Sequence, residues 1–432
     1  MDSKRCRSCD DKAKRLKELE TKNKELETKN KNIESRLQYY ENPHSPPSSN
    51  SLLWKKQKKS KRSNNPTTSK PGQKPGHKGV THNFKPTQTI HHKSDACSKC
   101  GSKKIIQTKQ TTRIIVEIPK PQPVTVTKHV IPSYMCNDCN TAHTAQCNLP
   151  KKGCLGFNLI GAIVSLWSAR IPVRNISKMI SVFNSVNLSA GTINNCLNNT
   201  AIALEPLVNE IKHDICTSET AHFDEIKYPI NGKTAWVWGG VNLNSCFITA
   251  EKSRGANVLE KHFSSFKGVA VCDGWKPYRV FEKIQRCWAH ILRDVKYASE
   301  RLETENSESL YRKLGELYDD IKYEQPSKTA HDDAMSRFER IVSEHSHEEE
   351  LEKIINKLDN AKDNLFTFLI YDGVEPTNNR AERSLRESVV NRKIRGCFRN
   401  QKGMDMFGNL MSCMMTWNIR GCNPLDEIVK YV

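Results

Sequence analysis

The hydrophobic and polar positions of this chain change period several times, and each change predicts a different structure. Leucines first recur every seven residues, and apolar positions then follow helical spacing between about residues 157 and 206. From residue 219 they alternate or run in short blocks typical of strands, and beyond residue 299 helical spacing returns. The pattern predicts a multidomain α+β protein in which strands lie between two helical segments.

Residues 10–42 contain the sequence ELETKNK twice in succession. The repeat places Leu19, Leu26, Ile33 and Tyr40 at one heptad position and Leu16, Asn23, Asn30 and Leu37 at its partner. This seam predicts a coiled coil, and its asparagines favour a short parallel dimer over a higher oligomer because buried asparagine fixes register and strand number. The alternative is a single surface helix, since isolated helices of this length are weak.

A proline cluster ends that helix, and residues 43–94 contain no acidic residue. The whole chain carries 68 Lys and Arg against 48 Asp and Glu, a net charge of +20, which favours a polyanionic partner. We expect a disordered basic linker that follows a phosphate backbone, or else a linker that only increases solubility. The DNA-binding lysines would be Lys55, Lys56, Lys58 and Lys59.

The apolar and charged segments also predict where the protein resides. The longest apolar run, LIGAIVSLW, is too short to cross a bilayer, and the N-terminus is charged where a signal peptide would be apolar. A cytoplasmic protein with reduced thiols and no membrane partner is expected, so paired cysteines indicate metal rather than disulfides.

Two Cys-x-x-Cys pairs lie within residues 95–150, separated by a segment that predicts strands. Cys97, Cys100, Cys136 and Cys139 would supply four thiolates for one structural zinc in a ribbon. His143, Cys147 and Cys154 lie nearby and are alternative ligands. A third pair, Cys6 and Cys9, is either inert or shares metal with a second chain.

Residues 155–210 predict helices separated by a turn at NSVN, with Ser189 as the cap of the last helix. Two short helices and a turn fit a helix-turn-helix, whose recognition helix would present Thr192 and Asn195 to a DNA major groove. Ordinary helical packing explains the same pattern equally well.

Residues 215–432 begin with four predicted strands, TAHFDEI, KTAWVWGGV, CFITAEK and GVAVCDGW. They fit a three-stranded meander, with an Asn-Gly turn at residue 231, followed by a fourth strand. Asp224 is predicted to end the first strand and Asp273 the fourth, where a sheet presents reactive groups to solvent. Taken alone, Asp224 and Asp273 would each be interpreted as a carboxylate that only caps a turn. Glu382, among arginines on a predicted helix, has a plain interpretation too, as a solvated ion pair.

In combination, the motifs resemble those of DDE transposases of the insertion-sequence-sixty-six family. HFDE is similar to the first aspartate motif, CDGWKPYR to the second, and NNRAERSLR to the motif that carries the third acid. CWAH, Cys287 to His290, resembles a Cys-x-x-His signature between the second and third acids. The order of coiled coil, basic segment, zinc ribbon, helix-turn-helix and core is similar as well; the first motif departs only in reading DEI where Asp-Glu-Thr is usual.

The resemblance implies an RNase H-like catalytic core with a helical insertion at about 299–370. Asp224, Asp273 and Glu382 would then bind two Mg²⁺ or Mn²⁺ ions. His290 would contact the scissile phosphate or merely pack at a helix start, and Cys287 would belong to the core. Arg380, Arg383 and Arg386 would contact phosphates rather than pair with Glu382.

The implied function is a transposase that cleaves the 3′ ends of an insertion sequence and joins them to target DNA. Its expected partners are double-stranded DNA, namely the terminal repeats and the target, a second copy of the chain through the coiled coil (a dimer or higher), and accessory proteins of the same element. A nucleoid-associated location follows. The alternatives are a non-catalytic DNA-binding regulator derived from a transposase, and a zinc-ribbon nuclease that processes RNA.

Overall fold

A computed structural model describes residues 85–345 and 349–432, together with five positions of the N-terminal segment. The chain divides into two compact units, residues 1–117 and 118–432. The basic lysines at 55, 56, 58 and 59, and most of the predicted coiled coil, lie outside the described residues.

The described positions of the first unit include part of the heptad repeat. Arg15, Leu19, Lys22, Asn23 and Leu26 all have helical backbone, and the two leucines are exposed. A helix with an uncovered apolar edge fits the predicted seam, and pairing with a second chain stays a prediction.

The second unit begins with an extended segment and a short hairpin. Strand β1 (Ser133–Met135) pairs antiparallel with β2 (Ala142–Thr144) around the CNDC turn. Strands are expected in RIIVEIP and in PVTVTKHVIPSYM; β1 lies at the end of the second segment, but residues 113–132 of this described stretch form no strand, so most of that expectation is wrong. Val126 and Val130 are exposed there, and β-branched residues form a strand only when a partner strand and a facing layer bury them.

Four helices follow, and the predicted break at NSVN is confirmed. They are α1 (Phe157–Ser168), α2 (Val173–Asn184), α3 (Ala190–Ala203) and α4 (Glu205–Cys216). Ser189 caps α3 as predicted, since its hydroxyl accepts a hydrogen bond from the Thr192 amide at 3.0 Å. The last apolar run is divided at Leu204, with Pro206 in the first turn of α4.

These helices share one hydrophobic core with the sheet that follows. Ile163, Trp167, Ile176 and Leu197 are buried in the same cluster as Phe223 and the long C-terminal helix. The packing interpretation of this segment therefore holds for its inner faces. A helix-turn-helix contact with DNA stays a prediction for its outer face.

The central sheet has five strands in the order β5-β4-β3-β6-β7. Their bounds are β3 (Thr220–Lys227), β4 (Trp236–Val241), β5 (Cys246–Glu251), β6 (Val269–Cys272) and β7 (Lys283–Arg286). Strands β3, β4 and β5 form an antiparallel meander, and β6 and β7 continue the sheet in parallel with β3. The predicted Asn-Gly turn joins β3 to β4, with Asn231 at φ 44° and Gly232 at φ 76°.

Two neighbouring glycines in β4 let both faces of the sheet be covered closely. A Cβ on Gly239 would lie 3.2 Å from Leu385, and a Cβ on Gly240 would lie 2.9 Å from the Phe263 ring. Leu385 belongs to α10 (Asn379–Arg395) and Phe263 to α5 (Ala256–Phe263), so the two helices cover opposite faces.

A second core is formed by helices inserted between β7 and α10. These are α6 (Trp288–Leu302), α7 (Glu305–Ile321), α8 (Lys328–His345) and α9 (Glu352–Asp359). The helical spacing of Leu310, Leu314, Leu317 and Ile321 is confirmed, since α7 buries all four against Trp288 and its neighbours.

The chain ends with α11 (Gln401–Ile419) and the short α12 (Pro424–Ile428). Helix α11 is the predicted final apolar helix, and its Met411, Met414 and Trp417 are buried core residues. Within the described ranges, no helix combines the length and the apolar composition needed to cross a membrane.

Candidate active site

Two aspartates lie at matching positions of adjacent parallel strands. His222 of β3 is in register with Val271 of β6. Asp224 and Asp273 each lie two residues beyond this last pair, and they are close enough that the charge of Asp273 acts on Asp224. Asp273 follows β6 as expected. Asp224, however, is the fifth of the eight residues of β3, so the prediction that it ends the strand is wrong, because pairing with β4 extends β3 to Lys227.

Glu382 comes to the same place from a distant part of the sequence. It lies in the first turn of α10, which packs on β3 and β4. The Asn378 side chain fixes the start of that helix, because its amide donates to the carbonyl oxygen of Phe223 at 2.8 Å, directly before Asp224. The structure thus brings the three predicted acids to one end of the sheet.

The acids interact electrostatically. Burial raises the pKa of Asp224 well above its ordinary value, and the charges of Glu225, Asp273 and Glu382 raise it further. Like charges held this close without a compensating cation oppose one another's ionisation. A bound cation would remove that penalty.

His290 and Cys287 border Glu382. The Nδ1 atom of His290 lies 3.6 Å from Oε1 of Glu382, and burial lowers the pKa of His290. The Sγ atom of Cys287 accepts the backbone N–H of Asn378 at 3.1 Å, and burial raises the pKa of this thiol to about 11. Cys287 is therefore a neutral, buried thiol that supports the start of α10, as the core interpretation expects.

Glu382 belongs to a mixed group of side chains that could hold a cation. Oε1 of Glu382 and Nδ1 of His290 are buried and have no hydrogen-bond partner among the described residues. Together with Sγ of Cys287 they lie within 4.8 Å of one another. Carboxylate oxygens suit Mg²⁺ or Mn²⁺ and a protonated thiol does not, so the three carboxylates are the ligand candidates.

Sequence reasoning missed a polar cluster on the opposite face of β3. Glu225 is buried, accepts a hydrogen bond from the Tyr278 hydroxyl, and forms an ion pair with Arg254 at 2.7 Å. Burial, with the charge of Asp273, raises the pKa of Glu225 to about 7 despite these two partners. The signal was present in the sequence, since HFDE places acids on both faces of a strand predicted to be buried.

The arginines around Glu382 fall into two groups. Arg380 pairs with Glu375, Arg392 donates to the Lys227 carbonyl, and Arg395 donates to the Trp167 carbonyl. Arg383 and Arg386 are exposed and have no ion pair among the described residues. The prediction that Glu382 is not their ion-pair partner agrees with this geometry, but Arg380 is not a free cation because Glu375 holds it.

The two cysteine pairs form turns with the same backbone geometry. The Cys97 amide donates to the Ser102 carbonyl at 2.8 Å, and the Cys136 amide donates to the Thr141 carbonyl at 3.0 Å. The residue after each second cysteine has positive φ, 72° at Gly101 and 51° at Asn140.

Hydrogen bonds also favour thiolates in these turns. Those from Lys99 and Cys100 lower the pKa of Cys97, and those from Thr141 and Cys136 lower the pKa of Cys139. Cys97 and Cys100 belong to the first unit and Cys136 and Cys139 to the second, so a shared zinc stays a prediction.

Of the two residues predicted to contact DNA on the proposed recognition helix, one is exposed to solvent and the other is partly buried. Thr192 is partly buried, and its hydroxyl lies 2.9 Å from that of Ser189 in the helix cap. Asn195 is exposed on α3.

Comparison with known proteins agrees with the motifs. Residues 153–406 match the family model described as Transposase IS66 family, which covers more than half of the chain. The chain belongs to the IS66 transposase family. It is also similar to an uncharacterized protein, y4qI, of Sinorhizobium fredii, with 22% identity over 333 residues and 66% of this chain. The chain spans 59% of the length of that relative. The family match contains all three acids, helices α1 to α4, the inserted helices α6 to α9 and the whole five-stranded sheet.

Proposed function

We propose that this protein is a DNA transposase that cleaves the 3′ ends of an insertion sequence and transfers them to target DNA by metal-dependent, in-line phosphoryl transfer. The observation that carries the proposal is the convergence of Asp224, Asp273 and Glu382, since the acids come from two adjacent strands and a helix far apart in sequence. Family membership makes this chemistry the expected one.

The sheet order supports an RNase H-like core. An antiparallel meander followed by two parallel strands places the first strand at the centre. The central strand carries Asp224, its parallel neighbour leads into Asp273, and the helix across the same face carries Glu382. The inserted helices between β7 and α10 pack into a second core, which also contains Val269 and Val271 of β6.

Asp224, Asp273 and Glu382 would hold two Mg²⁺ or Mn²⁺ ions. Such ions, when bound, activate a water or a DNA 3′-hydroxyl and stabilise the departing oxygen. Asp224 is nearly inaccessible to solvent, which strengthens its interaction with any cation. His290 lies beside Glu382 with its pKa lowered by burial, and an imidazole N–H at this place could donate a hydrogen bond to the scissile phosphate.

DNA would be held by several elements of different kinds. Arg383 and Arg386 present free cations on the helix that carries Glu382. Asn195 of α3 offers a base contact, while the linker lysines supply contacts to phosphates that carry no sequence information. One structural zinc bound by Cys97, Cys100, Cys136 and Cys139, and self-association through residues 10–42, complete the proposed assembly. Accessory proteins of the element remain candidate partners.

The test is 3′-end nicking of a labelled duplex that carries the element's terminal repeat, with Mg²⁺ or Mn²⁺. Glu382→Gln, Asp224→Asn and Asp273→Asn should fold and bind the duplex but lose nicking, and double variants should be no worse than single ones because the ligands act as one unit. Glu387→Gln is the matched control, since this acid lies on the same helix and pairs with Arg170 at the surface.

Substantial nicking by Glu382→Gln would show that Glu382 is not a metal ligand and would favour its interpretation as a solvated residue on the helix surface. Binding without nicking by the unaltered protein would instead support a regulator derived from a transposase. Cleavage of RNA hairpins in preference to DNA would favour an RNA-processing nuclease.

A further inference from the structure

An exposed tryptophan stands beside the candidate site. Trp275 follows Asp273 by two residues, and its backbone N–H donates to Oδ1 of that carboxylate at 2.8 Å. Its side chain is not buried in the core, since Trp275 is 39% exposed. The indole is therefore fixed at its backbone to a proposed metal ligand while part of its surface faces solvent.

One face of this indole is covered by the guanidinium of Arg254. The Arg254 guanidinium lies 4.0 Å from the centre of the Trp275 ring and 4.6 Å from that of Trp236. The indole N–H donates to the Arg254 carbonyl at 3.3 Å. Stacking on a guanidinium and a hydrogen bond together restrict the orientation of the ring.

The Arg254 guanidinium is itself anchored in the buried layer. Arg254 contacts Oε1 of Glu225 through Nε at 2.8 Å and Nη2 at 2.7 Å, and Tyr278 donates to the other oxygen of that carboxylate. Glu225 follows Asp224 directly, so the cluster ties the strand of the first acid to the loop of the second. Nothing in the family chemistry of three carboxylates requires an aromatic ring at this place.

The surroundings suit an anionic, aromatic ligand. Lys276 and Arg279 are exposed next to Trp275, and neither forms an ion pair within the described part of the chain. The Arg286 guanidinium lies close to the backbone of this loop, because a Cβ on Gly274 would lie 2.1 Å from Nη2 of Arg286. The loop therefore presents one flat ring, with two exposed cations close by in the sequence, directly after Asp273 at the end of β6.

We infer that Trp275 is a stacking platform for an unpaired nucleobase next to the scissile phosphate. This inference rests on the proposed function and adds to it the state of the substrate. A base inside an intact duplex offers no free face, so only a frayed, flipped or mismatched base can stack on the ring. Base–aromatic stacking tolerates any sequence, so the site takes an unpaired base of any identity.

The experiment measures binding by the full chain without added divalent cation, so that cleavage does not intervene. The probes are two 20-base-pair duplexes that contain 2-aminopurine, one fully paired and one with the 2-aminopurine opposite an abasic position. We expect about 5- to 150-fold tighter binding of the unpaired duplex, the range that one stacked base contributes, and quenching of its fluorescence by the indole.

Substitutions separate stacking from a merely structural role. Trp275→Phe should keep most of the preference, and Trp275→Leu should lose it together with the quenching, because leucine fills space without an aromatic face. Trp275→Ala should behave like Trp275→Leu. Tyr323→Ala is the control, since this exposed aromatic ring lies in the turn between α7 and α8 and its loss should leave the preference unchanged.

Equal binding of both duplexes by the unaltered protein would overturn the inference, as would a preference that survives in Trp275→Leu. The outcome is independent of the nicking assay. Metal-dependent nicking without a preference for the unpaired duplex would contradict the role of Trp275 and leave the proposed function standing. If the protein prefers the unpaired duplex through Trp275 but does not nick DNA, the proposed function is contradicted and the role of Trp275 still stands.

Discussion

The side-chain amide of Asn378 donates to the carbonyl oxygen of Phe223, 155 residues earlier in the sequence, at 2.8 Å. This bond joins the residue before α10 to the residue before Asp224. Asn378 also donates its own backbone N–H to the Cys287 thiol, one residue beyond β7. One buried asparagine thus fixes the first turn of the helix that carries Glu382 relative to the strands that carry the aspartates.

Substitution of the two adjacent asparagines of the NNRAER motif should therefore have very different effects on stability and on nicking. Asn378→Ala leaves the Phe223 carbonyl unsatisfied in a buried place, which costs about 1–3 kcal/mol. It should also lower the nicking rate by a factor of about 10–100, since misplaced groups lose catalysis steeply. Denaturant unfolding and the terminal-repeat nicking assay measure the two effects.

Asn379→Ala is the matched control, because Asn379 is exposed at the first position of the same helix. It should change the free energy of unfolding by no more than about 0.5 kcal/mol. Equal losses of nicking in both variants would contradict the positioning role of Asn378.

The strands and the acids could be predicted from the sequence because their signals are local. Alternating apolar residues and the Asn-Gly turn define β3 and β4, and apolar spacing defines α7. Asp273 was placed correctly at the end of β6 because a strand ends where its apolar run ends. Asp224 was misplaced because the extension of β3 depends on pairing with β4, which no local pattern reveals.

The remaining features depend on contacts between distant residues. The ion pair of Glu225 with Arg254 joins β3 to the loop after β5, and the ring of Trp275 stacks on that arginine. The strands expected before residue 133 failed for a related reason, since β-branched residues such as Val126 have no covering layer there. Propensity gives each segment a preference, but tertiary packing decides whether it is realised.

Arg395 and Arg383 lie on the same helix but should affect different properties. The Arg395 guanidinium lies 4.5 Å over the Trp167 ring and donates to the carbonyl of that residue, whereas Arg383 is exposed. Arg395→Ala should lower the free energy of unfolding by about 2 kcal/mol or more, because it removes a buried hydrogen bond and a stacked cation. Thermal or denaturant unfolding measures this loss.

Arg383→Ala should leave stability within about 0.5 kcal/mol and instead weaken DNA binding. The slope of log affinity against log salt should fall by about 1, since one phosphate contact is lost. Filter binding across a salt series measures the slope. An unchanged slope together with reduced stability would assign Arg383 to the fold rather than to DNA.

The two cysteine turns should bind one zinc per chain. Cys136→Ser should remove the zinc, because a tetrahedral structural site needs all four ligands, and should unfold the region around residues 95–145, since metal binding supplies its folding energy. Metal analysis of the purified chain gives the stoichiometry. Cys154→Ser, which alters an exposed cysteine outside both turns, should keep the metal; full zinc content in Cys136→Ser would refute the site.

Protons should compete with Mg²⁺ for Asp224. The pKa of this buried carboxyl lies well above its ordinary value, so the folded protein holds a proton that an unfolded chain would release at lower pH. Without metal, its contribution to the free energy of unfolding therefore declines as pH rises from the ordinary pKa of the carboxyl through its raised one. Bound Mg²⁺ requires the ionised form, so its apparent affinity should fall about tenfold for each pH unit below the raised pKa.

Thermal unfolding with and without Mg²⁺ at pH 6 and pH 8 measures this competition. Mg²⁺ should raise the unfolding temperature of the unaltered protein more at pH 8 than at pH 6, because at pH 8 fewer molecules carry the Asp224 proton that Mg²⁺ must displace. Asp224→Asn should lose the response to Mg²⁺ at both pH values, while Asp405→Asn, an exposed position on α11, should keep it. A Mg²⁺ response that persists in Asp224→Asn would mean that this carboxylate does not bind the metal.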